Sequence, residues 1–172
     1  KGFFYCLEQL SNEEIGFQLI QQFVDGEIPD QKLKEIVKET LCFDFPLVKI
    51  YPDVLALELF HGPTMAFKDV GARFMARCLS HFNQHEKNEV TVLVATSGDT
   101  GGAVASGFLG VEGVKVVILY PSKKVSEVQE KQLTTLGQNI TALEVDGTFD
   151  DCQAMVKNAF MDVSIKEKIN LT

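Results

Sequence analysis

The spacing of apolar residues changes character near residue 46. Before that point, Ser11 and Glu14 form a Ser-x-x-Glu capping signature, and Ile15, Leu19 and Phe23 then recur every fourth residue. Gly26 closes this segment, Pro29 suits the first position of a second helix, and Leu33, Ile36, Val37 and Leu41 make its apolar stripe. A hydroxyl residue three positions ahead of a glutamate satisfies backbone donors that a helix start leaves unpaired, and proline fits that start because its missing N–H costs nothing there. Residues 1–45 are therefore read as an N-terminal helical segment.

From Pro46 onward, short apolar runs alternate with amphipathic stretches. Val54–Phe60, Val90–Ala95, Val114–Tyr120 and Ile140–Val145 read as strands. Between them, Phe67, Val70, Phe74, Cys78 and Phe82 recur at steps of three or four and predict a helix with those side chains inward. Small residues predict a helix over about 101–109, another runs from about Ser126 toward Gly137, and Phe149, Cys152, Met155, Val156 and Phe160 mark a last helix. Strands alternating with helices imply right-handed crossovers and a parallel sheet flanked by helices, an α/β lobe over residues 46–172. A fully apolar run such as Val92–Ala95 fits a sheet covered on both faces.

Composition narrows the functional classes. Acidic residues outnumber basic ones 24 to 16, for a formal net charge of −8, and the pI is near 4.9. That balance argues against nucleic acid or an anionic membrane as partner, although one local positive site can still hold a small anion. No apolar run approaches the roughly 20 residues that span a bilayer, so the cytoplasm is the expected compartment. The four cysteines, Cys6, Cys42, Cys78 and Cys152, lie far apart without ligand-like spacing, and no metal site is expected. The chain opens on Lys1, and Ile169–Thr172 reads as the start of a further element, so a piece of a longer protein is expected.

Two segments carry chemistry. In His61-Gly62-Pro63-Thr64-Met65-Ala66-Phe67-Lys68-Asp69, a tight turn delivers Lys68 to the first turn of a helix. The positive end of the helix dipole and burial both disfavour an ammonium, which is what a Schiff-base lysine requires. An exposed helix lysine is the plainer alternative. In Thr96-Ser97-Gly98-Asp99-Thr100-Gly101-Gly102-Ala103, glycines and hydroxyls follow a buried strand and open a helix. Free amides at such a start bind carboxylate or phosphate, yet the same residues also serve as an ordinary capped turn. The segment lacks the ending of a P-loop and is not Gly-x-Gly-x-x-Gly. Read together, the two segments place a lysine and an anion nest at one sheet edge.

Leu59 through Asp69 is similar to the lysine signature of the threonine synthases, and Thr96-Ser97-Gly98-Asp99-Thr100-Gly101 resembles their second motif, with Asp99 where many related enzymes carry Asn. Tyr120-Pro121-Ser122, Val125 through Gln132 and Gly147 through Gln153 also resemble that family, in its longer microbial and fungal form. The resemblance implies the tryptophan-synthase-β-like type II fold and pyridoxal 5′-phosphate as cofactor. It implies Lys68 as the catalytic lysine that holds the cofactor covalently, and Asp99 near the ring hydroxyl. Thr96, Ser97, Gly98 and Thr100 would receive the substrate carboxylate. The implied reaction turns O-phosphohomoserine and water into threonine and phosphate. The family's loop for the cofactor phosphate, its partner for the pyridine nitrogen and its grip on the substrate phosphate are expected beyond Thr172, so the piece alone is expected to be inactive.

Three alternatives stay open at this point. One is a phospholyase of the same type acting on another amino phosphate. Another is a β-eliminating or β-replacing relative, such as a serine/threonine dehydratase or cysteine synthase. The third, from a different class, is a non-catalytic anion- or nucleotide-binding module built on Ser97–Gly102. His61 is read as a turn histidine satisfied by backbone, His81 and His85 as solvated, and Lys123 and Lys124 as a solvated turn. Glu13, Glu14, Asp150 and Asp151 are read as complements to helix dipoles. Oligomeric state is not legible.

Overall fold

The computed structural model describes residues 7–24, 26–84 and 89–172, so Cys6 and His85 lie outside the described residues. Two compact units divide the chain, Lys1–Leu57 and Glu58–Thr172. In the first, a short 3-10 turn at Leu7–Gln9 precedes helices α1 (Asn12–Val24) and α2 (Asp30–Thr40). The Ser11–Glu14 box forms as expected: the Ser11 amide donates to Glu14 Oε2 at 2.8 Å, and the Glu14 amide to Ser11 Oγ at 3.2 Å. These bonds stabilise the charged form of Glu14 and hold its carboxyl below the usual carboxylate value. Leu33, Ile36 and Val37 of α2 are buried, whereas Phe23 at the end of the predicted α1 stripe is 86% exposed.

Strands β1 (Leu47–Tyr51) and β2 (Val54–Leu57) pair antiparallel with each other, joined across Pro52-Asp53. The run expected as one strand to Phe60 thus stops at Leu57 and belongs to a hairpin, not to the parallel sheet. The signal was present in the sequence: Pro presets the first central position of a tight turn and Asp tolerates the second.

The second unit is built on a four-stranded parallel sheet in the order β5 (Ile140–Val145), β4 (Val114–Pro121), β3 (Val90–Ala95), β6 (Asn170–Leu171). Val90 pairs with Val114 and with Asn170, and Val116 with Ile140. Helix α3 (Lys68–Asn83) leads into β3, α4 (Asp99–Phe108) links β3 to β4, and α5 (Glu127–Thr134) links β4 to β5. Helices α6 (Phe149–Met161) and α7 (Val163–Lys166) lead back to β6. With right-handed crossovers, two forward steps put α4 and α5 on one face and the return puts α6 on the other. Val92, Val104, Phe108, Val116, Ile118 and Leu133 fill the core between sheet and helices.

The face that α3 buries is not the one its aromatics predict. Phe67 is 63% exposed and Phe82 53%, while Asp69, Ala72, Ala76 and Asn83 are buried. Helix–helix contact explains the offset. A Cβ built on Gly107 of α4 would stand 3.0 Å from the carbonyl carbon of Ala72, so the two backbones meet where neither helix carries bulk. Arg77 Nη1 also donates to the Gly107 carbonyl at 3.1 Å, tying α3 to α4 a turn further on. Large side chains therefore flank the contact instead of filling it.

Gly107→Val should force α3 and α4 apart at this crossing and cost about 1–3 kcal/mol, as overpacking typically does. Urea denaturation of the full-length protein followed by circular dichroism checks this, and an unchanged midpoint would show that the close approach is not needed.

Candidate active site

The turn ahead of α3 is held by a buried carboxylate. Asp69 is 1% exposed; its Oδ2 accepts from the Thr64 amide at 2.9 Å and its Oδ1 from the Thr64 hydroxyl at 2.6 Å. The Met65 amide donates to the Gly62 carbonyl at 3.0 Å, and Met65 adopts φ 57°, a conformation a side chain enters only when its surroundings impose it. Sequence reading passed over Asp69 as the residue after the lysine, although an acid in the first turn is also an electrostatic complement to the helix start. Its effect is to fix where Lys68 begins. Lys68 is half-buried, and its Nζ lies 4.8 Å from the centroid of the Phe67 ring.

The turn after β3 is held by a hydroxyl. Thr96 is 1% exposed, and its Oγ1 accepts from the Gly98 amide at 3.0 Å and the Gly101 amide at 2.8 Å. Its own amide donates to the Leu119 carbonyl at 3.0 Å, extending the ladder by one bond. Gly98 sits at φ 138°, a region closed to side chains, and α4 begins at the next residue. Ser97, Asp99 and Thr100 are exposed, and among the described residues their amides have no protein acceptor. Three outward amides at the positive end of a helix form a nest for an anionic group.

The two turns come together through helix packing, not through neighbouring strands of one sheet as expected. Phe67, Lys68, Gly71, Ala72, Met75, Thr100, Ala103 and Val104 line one cleft of about 380 Å³ between α3 and α4. The amine lies at the start of one wall and Thr100 at the start of the other, with apolar surface below. A flat aromatic group of small-ligand size fits such a space. An aldehyde on it would meet Lys68, and the carboxylate of an amino acid joined to it would meet the nest, so the residues present suit the aldehyde end of pyridoxal phosphate and its substrate.

Other polar residues take structural roles. His61 Nε2 meets Glu58 Oε2 at 2.7 Å, so its partner is a carboxylate three residues earlier and not backbone. His81 is half-buried rather than solvated, and its Nδ1 has no partner among the described residues. Lys123 and Lys124 lie exposed on a turn, with Lys123 at φ 57°. Glu13, Glu14, Asp150 and Asp151 occupy first turns of α1 and α6. Cys152 is buried, and desolvation pushes its thiol and that of Cys78 above the ordinary value. Among the described residues no cluster of metal-ligating side chains exists, and no helix is long and apolar enough to cross a membrane.

Asp69→Ala should leave the Thr64 amide unpaired and cost about 1.5–3 kcal/mol, the range for hydrogen bonds to a charged group. Asp69→Asn should recover part of that, since one oxygen still accepts. Equal melting temperatures for Asp69→Ala and the unaltered protein would refute the role.

Comparison with known proteins agrees with this geometry. A threonine synthase of Buchnera aphidicola (subsp. Acyrthosiphon pisum) is 51% identical over 156 residues, covering 90% of this chain and 36% of the relative. The crystal structure of threonine synthase from Escherichia coli superposes with a TM-score of 0.90 at 46% identity, covering 99% of this chain and 39% of that one. The structure of a pyridoxal-phosphate-bound threonine synthase from Brucella melitensis gives 0.86 at 38% identity, covering 94% of this chain and 36% of that one. The chain thus spans little more than a third of the relatives it matches. The family profile described as pyridoxal-phosphate dependent enzyme matches residues 46–169, and the chain belongs to that family.

Proposed function

We propose that this chain is the lysine-bearing lobe of a threonine synthase, which converts O-phosphohomoserine and water into threonine and phosphate. The observation that carries the reading is the shared cleft: Lys68 at the start of α3 and Thr100 at the start of α4 line the same space. Its support from relatives is the 46–51% identity to threonine synthases over nearly the whole chain.

Each residue has a task that follows from its position. Lys68 would hold pyridoxal phosphate covalently, and its amine, once free, would move protons at Cα and then Cβ of the substrate. Bound pyridoxal phosphate supplies an electron sink for charge developing at Cα. Asp99 would stand near the ring hydroxyl. Ser97 and Thr100 offer hydroxyls and amides to the substrate carboxylate, and Gly98 lets that carboxylate approach the backbone closely. Thr96 contributes from inside, because its hydroxyl is already committed to Gly98 and Gly101. A lone carboxylate gains more from such preset donors than from water, since they need no reorganisation when it arrives.

The test is reductive labelling. The full-length protein is incubated with pyridoxal phosphate, reduced with borohydride and mapped by mass spectrometry, with phosphate and threonine assayed in parallel. The label is expected on Lys68, and Lys68→Ala should lower turnover by about 10³-fold or more. Residues 1–172 alone, spanning little more than a third of the relatives' length, should release no phosphate. Turnover by Lys68→Ala within tenfold of the unaltered protein would sink the assignment, as would label elsewhere. Phosphate release without threonine would point instead to another phospholyase.

A further inference from the structure

The carboxamide of Gln129 serves two helices at once. Its Oε1 accepts from the Ser126 backbone amide at 2.9 Å while the Gln129 backbone amide donates to Ser126 Oγ at 3.3 Å, completing the box that starts α5. Its Nε2 then donates to Asp99 Oδ1 at 2.8 Å, thirty residues away at the start of α4. The amide group lies directly against Gly98: a Cβ there would stand 2.4 Å from Gln129 Cδ and Nε2. Both ends of one planar group are thus fixed by opposite demands, a donor on one side and a carboxylate on the other.

A capping box accepts Gln or Glu at this position, and Glu further complements the helix dipole. If Gln129 served α5 alone, either residue would suffice. Glutamate, however, would set a second carboxylate against Asp99, where only a donor fits. Gln129 holds Oδ1 and leaves Oδ2 of Asp99 without a donor among the described residues.

We infer that Gln129 is a positioning residue: its bond to Oδ1 orients Asp99 so that Oδ2 is left for the cofactor's ring hydroxyl. This rests on the reading of Lys68 and Asp99 given above. Nearby charges on α5 do not replace it, because Lys131 is already paired with Glu127 at 2.5 Å and Glu130 adds only negative charge.

The experiment compares variants of the full-length protein by cofactor dissociation constant, visible spectrum of the bound cofactor and melting temperature of the cofactor-free protein. Gln129→Glu should keep its melting temperature, because the cap survives. It should nevertheless weaken cofactor binding about tenfold and alter the spectrum, since the donor that orients Asp99 is replaced by a like charge that repels its carboxylate. Ser126→Ala should do the reverse, lowering the melting temperature while leaving the spectrum unchanged. In an Asp99→Asn background, Gln129→Glu should add almost nothing, the non-additivity expected of partners in one interaction. A wild-type spectrum and affinity in Gln129→Glu, with Lys68 still labelled, would overturn the positioning role alone. Absence of label on Lys68 in the unaltered protein would overturn the functional reading beneath it.

Discussion

The close approach of α3 and α4 is the constraint on which the site depends. Helices normally pack 8–10 Å apart, with side chains setting the distance. Here Ala72 meets Gly107 with no room for another carbon. That contact lies well inside each helix, whereas Lys68 and Thr100 lie at their starts. Packing one to two turns away therefore decides whether the amine and the nest face one cleft. Substitutions that respect every polar group could still separate the two walls.

Polar groups in this lobe divide into those spent on building turns and those left for a ligand. The side chains of Asp69 and Thr96, each residue 1% exposed, give their hydrogen bonds to the turns they stand in. Burying such groups is tolerable only because each is satisfied, and an unsatisfied buried oxygen costs more than a typical hydrogen bond returns. Ser97, Asp99 and Thr100, by contrast, stay exposed with amides unspent. The arrangement is pre-organised: the expensive ordering is done during folding, and the outward donors need not move to meet an anion.

Strands β3 and β4 were legible because strands covered on both faces read as near-continuous apolar runs, interrupted here only by Thr91 and Lys115, whereas the edge strand β5, with Thr141 and Glu144 exposed, gave a shorter run. Helix starts were legible where box residues announced them, as at Ser11. The stripe on α3 was not. Periodicity marks which residues share a face but not which face the fold buries, and the large residues Phe67 and Phe82 outweighed Ala72 and Ala76 in the pattern. Only knowledge of the partner helix, with its glycine at 107, shows why small residues go inward. The hairpin was missed for a different reason: Val54–Leu57 is as apolar as a sheet strand, so its run did not show that its partner was Leu47–Tyr51 across the Pro52-Asp53 turn. Of the site, Lys68 and the 96–100 turn were readable from local chemistry and resemblance. The bond from Gln129 to Asp99 was not, since it joins two loops that sequence spacing cannot bring together.

The net charge of −8 bears on how such a site can hold an anion at all. Long-range attraction would need a positive face, and charges beyond about 10 Å are screened in physiological salt. What remains is short range: amide dipoles at the start of α4 and the lysine at the start of α3. Such groups discriminate by geometry, because their effect falls off within one helical turn. A protein that repels anions at a distance and binds them at contact selects for ligands that fit the nest, and charge alone gains a molecule nothing. On this view Asp99 is not a misplaced acid among anion donors. Held by Gln129, it adds a requirement for a donor beside the anion, which a simple ionised carboxylate lacks and a hydroxyl-bearing ring supplies.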